Sequence, residues 1–121
     1  MDIFRKQKFL ALTLLLTLAA CSTPDTTAPT VSSTTPAASA TAVARNSAIT
    51  VTFDEDMFAT TVTASSFTLA KLGAIDGTVT FEGSANVATF TPRSALAILA
   101  TYTATLGTAI TDLSGNPLAA D

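Results

Sequence analysis

From Ala48 onward, apolar and hydroxyl side chains alternate. Ile49, Val51 and Phe53 are separated by Thr50 and Thr52, the pattern of a strand with one buried and one wet face. Phe67 and Leu69 repeat it. Val79 and Phe81 do so among Thr78 and Thr80, followed by Ala88 and Phe90, and by Tyr102, Ala104 and Leu106 among Thr101, Thr103 and Thr105. Gly77, the run Gly83-Ser84-Ala85-Asn86, Pro92 and Gly107 punctuate these segments, and the run from Gly83 to Asn86 reads as a hairpin loop. Upstream, Pro29-Thr30-Val31 enters a first strand and Thr35-Pro36 marks a turn. Asp56 to Thr61 lacks alternation and predicts one helical turn, while Leu96 to Ala100 tolerates a helix but is too short to form one alone. Short strands at regular spacing predict a β-sandwich or small barrel. Its core comprises Ile49, Val51, Phe53, Phe67, Leu69, Val79, Phe81, Phe90 and Tyr102, with the Tyr102 hydroxyl bonded to backbone, as in a tyrosine corner.

The beginning of the chain follows another rule. Arg5, Lys6 and Lys8 precede a 12-residue apolar run from Phe9 to Ala20. A membrane-spanning helix needs about 20 apolar residues, so residues 1–20 read as a cleaved secretory signal peptide. The segment Leu18-Ala19-Ala20-Cys21 resembles the lipobox of bacterial lipoproteins, and Cys21 is the chain's single cysteine. That resemblance implies a diacylglyceryl group on the Cys21 thiol, cleavage before it and a further acyl chain on the freed amine. At about 0.8 kcal/mol per buried methylene, two or three chains anchor firmly. Ser22, rather than Asp, follows the cysteine, which by the same resemblance points to the outer membrane of the bacterial envelope. Residues 21–28 then read as the lipidated cysteine and a tether rich in Ser, Thr and Pro, and residues 29–121 as the domain.

Composition narrows the function. The chain of 121 residues allows one domain. It has no His and no Trp, so His-based catalysis and the usual Cys/His zinc sites are excluded, as is an internal disulfide. Without residues 1–20, three basic and eight acidic residues remain, a net charge of −5. A chain of this sign is repelled by nucleic acid and by an anionic lipid surface, so the membrane partner is reached through the lipid alone. Of 24 threonines, 22 lie after residue 21, where a β-branched hydroxyl suits the solvated face of a sheet. An ice-binding ladder would require flat, equal rungs, which a twisted sandwich does not supply.

The segment Ile49-Thr50-Val51-Thr52-Phe53-Asp54-Glu55-Asp56-Met57 resembles the I-x-V-x-F-S/D-E-x-M stretch of bacterial Ig-like domains of the SbsA type. Ser66-Phe67-Thr68-Leu69, Gly77-Thr78-Val79-Thr80-Phe81, Ala88-Thr89-Phe90-Thr91-Pro92, Thr101-Tyr102-Thr103-Ala104 and Thr111-Asp112-Leu113-Ser114-Gly115-Asn116-Pro117-Leu118 follow in the family's order. The resemblance spans roughly residues 28–121 and implies an all-β, Ig-like Greek-key sandwich. Such a module serves as a non-catalytic spacer or adhesive domain with a protein or carbohydrate surface ligand. In the family a final strand follows the segment matching Asp112 to Leu118, whereas here only Ala119, Ala120 and Asp121 remain. The expectation is therefore a missing C-terminal strand and an edge beside Tyr102 open to pairing with another chain. The alternative is the N-terminal part of a larger secreted protein, ice-binding or hydrolytic, whose active domain lies elsewhere.

Candidate chemistry is sparse. Asp54, Glu55 and Asp56 form the densest acidic cluster, but paired carboxylates need a substrate cleft to run glycoside hydrolysis, and no Gly-x-Ser-x-Gly elbow is present. No enzyme is expected. Calcium is the better functional reading, with Asp54, Asp56, Asp112 and Asn116 as candidate ligands and Asp76 elsewhere. The spacing departs from an EF-hand loop, and an Asx-type turn from Asp112 to Asn116 accounts for the same residues. The expectation is that no metal or cofactor is bound.

Overall fold

A computed structural model describes residues 23–120. The signal segment and Cys21 lie outside the described residues.

Among the described residues six strands form, five of them where the period-two pattern places them and the first after the strand entry at Pro29-Thr30-Val31. They are β1 (Val31–Thr35), β2 (Ile49–Phe53), β3 (Phe67–Ala70), β4 (Gly77–Glu82), β5 (Val87–Pro92) and β6 (Thr103–Leu106). A four-stranded sheet runs β1-β2-β5-β4, and β3 pairs with β6 in a second sheet. Every pairing is antiparallel. The chain passes from one sheet to the other after β2, after β3 and after β5, so two layers share one core. No α-helix occurs among the described residues. This is the all-β, Ig-like sandwich.

Alternation decides which face is dry. In β2, Val51 and Phe53 are buried, and their cross-strand neighbours include the buried Ala88 of β5. Phe67 and Leu69 of β3 face them from the opposite layer. The ring of Phe67 packs against Phe90 at a centroid distance of 5.8 Å and that of Phe53 against Phe81 at 6.3 Å, within the range of tilted aromatic pairs. Gly77 is required by this packing, because a Cβ there would lie 2.5 Å from the Phe90 ring.

The core departs from the sequence expectation at both its margins. Ile49, Val79, Phe81 and Tyr102 are half-buried and pack against the core from its flanks; β4, which carries Val79 and Phe81, is an edge strand covered on one side only. Met57, Val62, Ile110 and Leu118 are buried core members that strand periodicity does not reveal, because Met57 and Val62 sit in the crossover between β2 and β3 and Ile110 and Leu118 in the irregular segment after β6. The helical turn expected between Asp56 and Thr61 is a 3-10 turn over Ala59–Thr61. Leu96 to Ala100 is a non-helical loop, and Leu99 adopts a left-handed φ of 52°. Tyr102 precedes β6, and its hydroxyl accepts the Ala97 backbone N–H at 2.7 Å.

Hydroxyl side chains lock the crossover that delivers Met57 and Val62. The Thr61 hydroxyl donates to the Phe58 carbonyl and accepts the Thr111 N–H. Ser66, itself buried, donates to the Thr61 carbonyl at 2.6 Å and accepts the Thr63 N–H at 2.8 Å. A buried polar group with its partners supplied carries little desolvation penalty.

Candidate functional site

One end of the sandwich gathers carboxylates. β2 delivers Asp54, Glu55 and Asp56 there; the loop after β6 brings Asp112, the β4–β5 hairpin brings Asn86, and the N-terminal segment brings Asp25. Together with Leu113 and Ser114 they line a shallow cleft. Oxygens of Asp25, Glu55 and Asp112 lie within 4.8 Å of one another.

Each carboxylate has its own occupation. Asp54 pins the entry to β1: the Thr30 N–H donates to Oδ1 at 2.7 Å and the Thr30 hydroxyl to Oδ2 at 2.6 Å. These two bonds hold the Asp54 carboxyl below its ordinary range. Asp112 is buried. Its Oδ1 accepts the Ser114 and Asn116 N–H groups, each at 2.8 Å, and its Oδ2 accepts the Asn116 side-chain amide at 2.7 Å. Burial pushes the carboxyl upward, but the bonds from Asn116, Ser114 and Gly115 outweigh it and the net shift is downward. Gly115 takes φ +89° within this loop, a left-handed conformation that glycine adopts without strain. The loop from Asp112 to Asn116 is thus an Asx-type turn.

Glu55 is the member without such bonds among the described residues. Burial first, then the charges of Asp25, Asp112, Asp54 and Asp56, raise its pKa. The Asp56 Oδ1 accepts the Asn86 amide at 3.1 Å, and the buried Asn86 Oδ1 has no donor among the described residues.

Of the calcium candidates, Asp54, Asp56 and Asp112 line one cleft, and Asn116 bonds to Asp112 at its margin. Asp76 does not join them. It lies at the opposite end of the sandwich, where its carbonyl accepts the Arg93 N–H at 2.9 Å. Asp25 and Asn86 escaped the sequence reading. Asp25 stands in a stretch that looks like tether, yet its carbonyl accepts the Asn116 amide across the fold at 3.2 Å; Asn86 looks like an ordinary loop residue. Nothing in their local sequence marks either.

The geometry defines an Ig-like sandwich whose polar end is largely spent on closing its own loops. The comparisons make that class specific. The chain belongs to the bacterial Ig-like domain family, whose model matches residues 25–121. The fold is similar to the crystal structure of the S-layer protein rSbsC(31-844), with a TM-score of 0.58 and 21% identity over 78% of this chain and 13% of that one. It is similar also to the N-terminal part of the bacterial S-layer protein SbsC, with a TM-score of 0.57 and 23% identity over 78% of this chain and 22% of that one. The chain therefore spans less than a quarter of the length of these structural neighbours. No curated protein matches it.

Proposed function

We propose that the chain is a non-catalytic Ig-like module of the SbsA type, displayed on the bacterial cell envelope as a spacer or adhesive domain and held there by lipid on Cys21. The observation that carries the reading is the pairing of a family match over residues 25–121 with a polar end whose buried carboxylate closes a loop instead of facing a substrate. The lipobox-like Leu18-Ala19-Ala20-Cys21 supports the anchor, and Ser22 supports the outer membrane. Protein or carbohydrate surface groups are the ligand classes such a module meets.

A second reading has its own support. The structural neighbours are far longer than this chain, so the same fold serves as one unit of a larger polypeptide; the module would then be the N-terminal part of a larger secreted protein. One experiment addresses both. In bacteria fed a tagged fatty acid, the wild-type protein is expected to take up label and to sediment with membranes, and Cys21→Ser is expected to lose both. A Ser variant that stays membrane-bound and is processed at the same place overturns the anchor. The mobility of the labelled band reports the length of the native polypeptide.

A further inference from the structure

Four strand edges bound the two sheets, and three of them are guarded. The outer edge of β1 is flanked by Pro29 and Pro36, which lack N–H donors, and carries a bulge between Val31 and Ser33. β4 is preceded by Asp76 and ends on Glu82. β3 is covered by the chain that follows it: the Ile75 N–H donates to the Leu69 carbonyl at 2.8 Å, and Ala70 bridges Ala74. Prolines, bulges, charges and covering loops are the devices that keep edge strands from pairing with other chains.

β6 has none of them. It pairs only with β3 among the described residues. No charged residue and no proline occurs from Ser94 to Thr111. The Gly107 N–H donates to the Ser66 carbonyl, which fixes the ladder: with Phe67 opposite Leu106 and Leu69 opposite Ala104, alternation turns the N–H and C=O groups of Ala104 and Leu106 away from β3. Leu69 agrees, since its carbonyl is taken from the other side by Ile75. Ala104 is exposed although its neighbours at two-residue spacing, Tyr102 and Leu106, pack against the core. The adjoining loop leaves Ile98 69% and Leu99 104% exposed.

Charge supplies the partner. Asp25, Asp54, Glu55, Asp56 and Asp112 line the cleft at the Leu106 end, and Glu82 closes β4 at that same end. The three basic residues after the signal segment gather at the Thr103 end, where among the described residues Asp76 is the one acidic residue set against them: Lys71 follows Ala70, which pairs with Thr103; the Arg45 Nε donates to the Leu96 carbonyl at 2.7 Å; and Arg93 shares a shallow groove with Asp76, Leu96 and Tyr102. The sandwich is therefore electrically polar along its strands.

We propose that the edge of β6 that is unpaired among the described residues pairs with β6 of a second copy, antiparallel and two-fold related, with Ala104 opposite Ala104 and Tyr102 opposite Leu106. The groups left free by β3 are then the ones that bond, Tyr102 and Leu106 of each copy flank the exposed Ala104, and the acidic end of each sandwich lies beside the basic end of its mate. The N-terminal segment leaves from the acidic end, where Asp25 meets Asn116, so the two copies point their N-termini in opposite directions. Where Cys21 holds the chain to a membrane, a consequence that rests on the lipid-anchored reading, such a pair joins two facing surfaces in a homophilic adhesive contact.

The test is sedimentation equilibrium of residues 22–121, which contain every described strand and every described core residue, so that failure leaves the anchor untouched. The expected result is a monomer–dimer equilibrium that weakens with added salt. Ala104→Lys places like charges opposite each other, and Ala104→Pro removes an outward N–H that the β3 ladder does not use; each is expected to raise the dissociation constant at least about tenfold. Thr78→Lys, on the guarded β4, leaves it unchanged, and circular dichroism checks that the variants fold. A wild-type module that stays monomeric, or a dimer indifferent to both Ala104 variants, overturns the proposal. So does an edge that is filled instead by an added peptide strand or by residues following in a longer polypeptide.

Discussion

Replacing Phe67 by Ala tests how the two layers are joined. Phe67 is 0% exposed and presses its ring onto Phe90 of the opposite sheet at 5.8 Å. Loss of a buried phenyl costs about 3–5 kcal/mol, because the transfer energy is lost and a cavity remains; the tilted aromatic pair accounts for roughly 0.5–1.5 kcal/mol of it. A domain of this size has only about 5–15 kcal/mol in total. At about 4–8 °C per kcal/mol, the melting temperature is expected to fall by more than roughly 12 °C. Thr68, on the other face of the same strand and only half-buried, is the control, and Thr68→Ala is expected to cost less than about 1 kcal/mol. Phe81→Ala is expected to fall between them, since Phe81 is half-buried on an edge strand. Urea unfolding followed by far-ultraviolet circular dichroism and by the single tyrosine, Tyr102, reads the midpoints. Equal losses at Phe67 and Thr68, with unchanged denaturant slopes, would refute the two-layer account.

Acid is expected to act in two opposite phases. Glu55, whose pKa is raised, takes up its proton more readily in the folded state, so stability rises as pH falls through its elevated value and the gain is complete below the ordinary 4.5. Asp54 and Asp112, whose values are lowered, contribute stability that is fully present above the ordinary 3.8 and is lost as pH falls below it. Thermal melts across this range check the profile: Glu55→Gln should abolish the initial rise, and a rise that persists in that variant contradicts the assignment. Calcium is expected to leave the melting temperature unchanged, because the oxygens of Asp54 and Asp112 already accept protein donors; a chelator-reversed increase of several degrees that disappears in Asp112→Ala would show a cation site instead.

The strands were legible because their cause is local. A Thr facing water every second residue, with Val, Phe or Leu between, commits a segment to one wet face and one dry face before any partner is chosen. That is why β2 and β5 fall where Ile49-Thr50-Val51-Thr52-Phe53 and Ala88-Thr89-Phe90 place them. The Asx-type turn at Asp112 was legible for the same reason, since its bonds span at most four residues. Met57, Val62, Ile110 and Leu118 were not, because their burial comes from the β2–β3 crossover and from the segment after β6, which fold over the core and have no period of their own. Asp25 reaches the acidic end only because Asn116, 91 residues away, folds back onto its carbonyl. The segregation of charge between the two ends of the sandwich is tertiary as well. Asp54 and Lys71 are 17 positions apart in sequence, and only the antiparallel return of each strand decides which end of the molecule a given turn occupies. Side-chain alternation is a property of neighbours, whereas the position of a loop at one end or the other depends on how many strands the chain has run before reaching it.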